Sequence, residues 1–187
     1  MNKIELIESP IIYVDYEALC NMETLIDAVP HEIGWMGLST KIADNTFLIY
    51  ETILLEQRAD HTTCEINPGA ISLWGLENPD KVNDLRVWGH SHATMGVTPS
   101  HQDDIQLEEL YEAVDDYFIR VIMNKKGDIN LTLIDVSNNY IIKDMTWRLY
   151  AQPNPALRAE VEEKVKDIPR TDRYWKKNET PSIWRSW

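Results

Sequence analysis

The stretch Trp88-Gly-His-Ser-His-Ala-Thr-Met-Gly-Val-Thr-Pro-Ser-His-Gln-Asp-Asp104 constrains the fold more than any other part of the chain. It follows the run Leu85-Arg-Val-Trp88, which reads as a strand, so it stands where a buried strand opens into a loop. His90 and His92 are two residues apart, and on an extended backbone their side chains point the same way. Ser100 comes eight residues after His92, and Asp103 three residues later. Ser at a helix start accepts from the free N–H groups of the first turn, which predicts a helix capped by Ser100 with Asp103 in that turn. Two imidazoles and a carboxylate with a fourth position open make the donor set of a catalytic zinc site; structural sites close all four positions.

Other metal motifs fit less well. A metallo-β-lactamase pattern needs Asp and His where this chain has Thr94 and Met95. An amidohydrolase barrel takes ~250 residues to close, more than the 187 present. A zinc deaminase needs Cys-x-x-Cys, and Cys20 and Cys64 are far apart.

A chain of this length with 43% hydrophobic residues suits one globular domain and a small remainder. The net charge of −13 argues against nucleic-acid or anionic-membrane partners. No apolar run approaches the ~20 residues of a membrane helix, and acids stand near the N-terminus where a signal peptide would be apolar. Two cysteines make no disulfide framework. The expectation is a soluble cytoplasmic protein with reduced thiols. Residues 154–187 hold eight of the 18 basic and six of the 31 acidic residues, which leaves −15 on residues 1–153. That charge serves solubility or attracts a basic substrate tail.

Read in order, Ile11–Val14 forms a strand and Asp15 caps a helix whose buried stripe is Leu19, Met22, Ile26 and Val29. Glu32–Leu38 reads as the next strand, with Glu32, Gly34 and Met36 on one face. Thr46–Leu55 reads as a central strand buried on both faces, and Asp60–Ile66 as a more polar one. His61 and Cys64 read as surface and packing residues. Asn67-Pro-Gly begins a helix with Ile71, Trp74 and Leu76 on its apolar side. After Ser100, Ile105, Leu107, Leu110, Tyr111 and Val114 should face inward. Tyr117–Met123, Ile129–Asp135 and Tyr140–Tyr150 read as a meander joined by Gly- and Asn-containing turns. The fold class is therefore α/β or α+β. The domain spans residues 1–152, and residues 153–187 form a helical, Trp-rich extension. Its helix, Ala156–Asp167, is charged, and Tyr174, Trp175, Trp184 and Trp187 either pack back, self-associate into a homo-oligomer or bind a partner.

At His90-Ser-His92, Ser100 and Asp103 the chain resembles the JAMM (MPN+) metalloproteases, whose signature is His-Ser/Thr-His-Pro, six residues, then Ser-x-x-Asp, with a Glu upstream. Glu32 fits the upstream Glu. The resemblance covers about residues 1–150. Ala93 replaces the usual Pro, which is expected to loosen the loop, and Glu-x-x-Gly becomes Glu-x-x-Trp. The resemblance implies an MPN-like mixed, mostly antiparallel sheet flanked by helices. It also implies Zn²⁺ on His90, His92 and Asp103, with Glu32 as general base and Ser100 as oxyanion donor. The implied reaction is isopeptide or peptide cleavage at the extended tail of a ubiquitin-like or other protein. The alternatives are a non-catalytic MPN-type scaffold and a hydrolase of small molecules or cell-wall peptides.

Overall fold

The computed structural model describes residues 9–60, 63–151 and 155–166. The chain divides into two compact units, Met1–Ala151 and Gln152–Trp187. In the first, eight strands form one mixed sheet in the order β10-β1-β3-β2-β6-β7-β8-β9, and β4 (Gln57–Ala59) pairs with β5 (Cys64–Ile66) beside it. The large sheet comprises β1 (Ile11–Asp15), β2 (Gly34–Ala43), β3 (Thr46–Ile53), β6 (Leu85–Ser91), β7 (Tyr117–Met123), β8 (Ile129–Asp135), β9 (Tyr140–Ile142) and β10 (Trp147–Tyr150). Its antiparallel pairs outnumber the parallel ones, which are β1 with β10, β1 with β3, and β6 with β7. The expected α+β class is therefore present.

The sheet is strongly curled. Its two edges, β9 and β10, are joined by residues 143–146 alone. Such a link reaches at most ~18 Å, whereas the outer strands of a flat eight-stranded sheet would lie ~34 Å apart. The sequence reading of Tyr140–Tyr150 as one strand closing a meander is thus corrected. Asp144 takes a positive φ of 54°, and the Met145 N–H donates to the Leu131 carbonyl at 2.9 Å, so the chain leaves β9 and crosses to the far edge.

Two apolar layers cover the two faces. Helix α1 (Tyr16–Ala28) sets Ala18, Met22 and Ile26 against Ile12, Trp35, Phe47 and Val87. Asp15 caps it through the Glu17 N–H, and Val29 is extended before Pro30, as a residue preceding proline prefers. On the other face Met36, Leu38, Trp88 and Phe118 meet Leu107 of α3 (His101–Tyr111), with Ile71 and Trp74 of α2 (Pro68–Glu77) at the margin.

Several local expectations change. β3 is not buried throughout: Phe47 and Ile49 enter one core layer and Ile53 the other, with Tyr50 partly buried against the second, while the remaining side chains are half-buried. The Asp60–Ile66 strand shortens to β5. Leu76 is 80% exposed and Ile105 47%, since each turns away from its helix's apolar side. In the second unit, α4 (Pro155–Lys166) carries the i,i+4 pairs Arg158–Glu162 and Lys164–Glu160, and Val161 and Val165 are about half exposed. His61 and the Trp-rich stretch 170–187 lie outside the described residues. Among the described residues, no helix is long and apolar enough to cross a membrane.

Candidate metal centre

β6 runs between β2 and β7 and ends at the site. Its alternation sends Val87 into one core layer and Trp88 into the other, and His90 shares the Trp88 face. The Trp88 indole stacks on the His90 ring at 4.7 Å with an interplanar angle of 28°, which fixes the imidazole plane. Gly89 is needed between them: a Cβ there would overlap the Trp35 indole that crosses the opposite face. His92 follows the strand and is held by its backbone N–H, which donates to the Met123 carbonyl at 2.8 Å.

The third donor arrives on α3. Ser100 and Asp103 form a reciprocal cap: the Asp103 N–H donates to Ser100 Oγ at 3.2 Å, and the Ser100 N–H donates to Asp103 Oδ2 at 2.6 Å. This holds the Asp103 carboxylate over the loop at the end of β6. His90 Nε2 lies 3.1 Å from Asp103 Oδ1 and 3.1 Å from His92 Nε2, and His92 Nε2 lies 3.4 Å from Asp103 Oδ2. Four donors around one ion at ~2.0–2.1 Å stand ~3.3–3.4 Å from one another; the two imidazole nitrogens are spaced close to this, and each has a different oxygen of the Asp103 carboxylate within 3.4 Å, so a small rotation of the carboxylate would bring one oxygen to both. Among the described residues, His90, His92 and Asp103 are the group whose donor atoms converge in this way, and they could hold a metal ion.

His92 Nδ1 lies 2.7 Å from the Gly96 carbonyl, which can only accept, so Nδ1 carries a proton; Nε2 faces Asp103, donating to it while the ring is charged and offering a lone pair to a metal once that second proton is lost. Burial pushes His90 below the usual imidazole range. Its hydrogen bond with Asp103 raises His92 against the opposing effect of burial. Burial also acts to raise Asp103, but hydrogen bonds from His90 and His92 outweigh it and hold the carboxyl below the usual range. His90 Nδ1 is buried with no partner, so ring stacking orients His90 where a hydrogen bond orients His92.

Glu32 does not lie on a strand; β2 starts two residues later, at Gly34. The Glu32 segment is nonetheless pinned on both sides. The Glu32 N–H donates to the Asp60 carbonyl at 3.0 Å, and the Ile33 N–H to Ser91 Oγ at 3.1 Å. The Gly34 N–H donates to Gln57 Oε1 at 2.8 Å. Glu32 is 4% exposed, and burial pushes its carboxyl up to about 7, with His92 opposing and Asp103 adding to the rise. Glu32, Cys64, Trp88, His90, Ser100 and Asp103 face one small cavity of about 20 Å³, room for a single water-sized occupant.

Four of the five residues singled out in the sequence thus surround one cavity, and His92 joins them through His90 and Asp103. Cys64, read as packing, is buried in the cavity wall, where burial pushes its thiol up to about 12. Ser91 and Gln57 were not anticipated. Ser91 sits inside the His-x-His pair, so its place was visible, whereas no local pattern marks Gln57.

The loop after His92 corrects another expectation. Ala93 sits at φ 45°, a left-handed backbone closed to proline, whose ring holds φ near −65°. Replacing the usual Pro does not loosen the segment. The Ala93 carbonyl accepts from the Lys125 N–H at 2.8 Å, and the Met95 carbonyl from Asn124 Nδ2 at 2.8 Å. The loop is laced to the end of β7.

No family model matches the chain, and no curated protein matches it. Among solved structures it is similar to the protein DSY2949 from Desulfitobacterium hafniense, known from a solution structure. The two are 15% identical, the match covers 77% of this chain and 96% of that one, and the TM-score is 0.54. The likeness concerns the fold alone.

Proposed function

We propose that this chain is a zinc-dependent hydrolase of the JAMM type, cleaving an isopeptide or peptide bond near the extended tail of a ubiquitin-like or other protein. The observation that carries the reading is the convergence of His90 Nε2, His92 Nε2 and the Asp103 carboxylate, with each imidazole nitrogen 3.1–3.4 Å from the other donors, beside a water-sized cavity that Glu32 also lines. A bound zinc ion supplies Lewis acidity and draws the pKa of water from 15.7 toward ~7. Glu32 takes the proton of the attacking water and returns it to the leaving amine. The Ser100 Oγ already accepts from the Asp103 N–H and keeps its own hydrogen to donate to the oxyanion. The hydrogen bonds of Ile33 with Ser91 and of Gly34 with Gln57 fix the backbone that carries Glu32.

The test begins with metal content. Elemental analysis of the purified chain should find about one zinc per chain, and the double variant His90→Ala/His92→Ala should have none. The loaded protein is then offered a panel of ubiquitin-like fusions, internal peptides and small amides. Glu32→Gln should retain zinc and lose turnover on whichever substrate is cut. Full activity in Glu32→Gln removes the general-base assignment. No zinc in either protein, even after zinc is added back, leaves the non-catalytic scaffold as the better reading.

A further inference from the structure

We propose that Arg120 is a positioning residue for the metal centre, acting through Asp104 to set where α3 places Asp103. The inference rests on the metal-site reading of His90, His92 and Asp103.

Arg120 is fully buried in the middle of β7, paired in register with Trp88 of β6 and Thr132 of β8. Its guanidinium joins two elements: Nη1 donates to Asp104 Oδ1 at 2.7 Å, and Nη2 donates to Thr132 Oγ1 at 3.1 Å. Nε is buried without a partner. Asp104 is the neighbour of the ligand Asp103 and lies in the same first turn of α3. Thr132 holds one prong of the planar guanidinium, which aims the other at Asp104, so the sheet ties down that turn through one charge-assisted hydrogen bond.

A simple stability role accounts poorly for this arrangement. Desolvating a guanidinium costs several kcal/mol, and well-packed apolar residues usually do as well or better than a buried ion pair. Apolar packing does little to fix this end of the helix. Its first turn, His101–Asp104, has no apolar side chain, Ile105 is 47% exposed, and Leu107 is the first residue buried in the core. The Ser100–Asp103 cap ties the ligand to its own helix and not to the sheet that bears His90 and His92. Asp103 itself reaches His90 and His92, but through the atoms a metal would use; Arg120–Asp104 ties the same turn to the sheet without them, with Lys143 3.8 Å from Asp104 on the solvent side.

The sign of the effect separates positioning from simple electrostatics. A buried cation beside a metal site repels the metal, so Arg120→Met should tighten binding if only the field matters. If the fork positions Asp103, the same change should weaken it. The experiment titrates chelator-stripped full-length chain with Co²⁺ and follows the visible d–d bands, for wild type, Arg120→Met and Asp104→Ala. Metal-free melting is measured in parallel. The expected result is a loss of affinity of about 10–100-fold in both variants, the usual scale for groups that orient ligands, with altered band positions. Unchanged or tighter binding by folded Arg120→Met overturns the assignment. If that variant does not fold, Asp104→Ala decides, since its side chain is 43% exposed in the wild type. A weaker site with unaltered bands there reports a field effect and also overturns it. A wild type that binds no cobalt overturns the metal-site reading itself, and this inference with it.

Discussion

A carboxyl that burial raises to about 7 makes the metal-free fold sensitive to pH in a direction opposite to most acids. In the unfolded chain Glu32 titrates near ~4.3. Between these values the folded state binds the proton more tightly, so this group's stabilising contribution is full below the unfolded value and is lost as pH rises through about 7. Glu32→Gln carries no such penalty. In chelator-stripped protein it should melt higher than wild type at pH 8, by about 1–2 kcal/mol, and the difference should close toward pH 5. Equal melting at both pH values would show that Glu32 is not held in a desolvated place. Cys64 tests the same cavity wall from another side. It is 8% exposed with its thiol pushed up to about 12, while Cys20 is half-buried. An aromatic disulfide reagent at pH 8 should label one thiol in the folded chain and the second only in denaturant. Two fast thiols would contradict the buried position of Cys64.

The elements show where the sequence spoke clearly and where it did not. β6 and α3 were legible because each carries a local signal: an apolar run ending in His-x-His, and a Ser with an acid three residues on. The link between β9 and β10 was not legible, because Tyr140–Tyr150 keeps a strand-like composition through a reversal that depends on one left-handed residue, Asp144, and one long-range hydrogen bond. β4 was missed because three residues of mixed polarity have no period to read. Arg120 was missed because an Arg within an apolar run reads as a strand-edge residue until its partners on α3 and β8 are known. The loop after His92 falls between these cases. Its length was plain, and its backbone was not. At φ 45° Ala93 bears the strain of a left-handed residue with a Cβ. Ala93→Gly should stabilise the chain by about 0.5–1 kcal/mol, read as a melting point roughly 1–4 °C higher. Ala93→Pro should lower it and weaken metal binding, because the segment could not keep both its φ and its Lys125 hydrogen bond. A proline variant as stable as wild type would show that the left-handed backbone is not required.

At the scale of the whole molecule, the sheet curls until its edges are four residues apart, and the site lies where β6, the Glu32 segment and α3 meet. Those parts come from residues 32, 90–92 and 100–103, brought together only by the completed fold. A ligand that bridges them binds the folded chain and has no comparable site on the unfolded one, so metal binding must add to global stability. At a free ion concentration a hundredfold above the dissociation constant the gain is about 2.7 kcal/mol, which for a chain of this size is a rise in melting temperature of roughly 5–11 °C. Chelator-treated wild type should therefore melt lower than zinc-loaded wild type by that amount. His90→Ala/His92→Ala should melt at one temperature with or without zinc. The comparison also separates specific from surface binding, since the acidic exterior can collect divalent ions in both proteins alike. A zinc-induced rise of equal size in the double variant would place the ion elsewhere on the chain and remove the metal from the proposed chemistry.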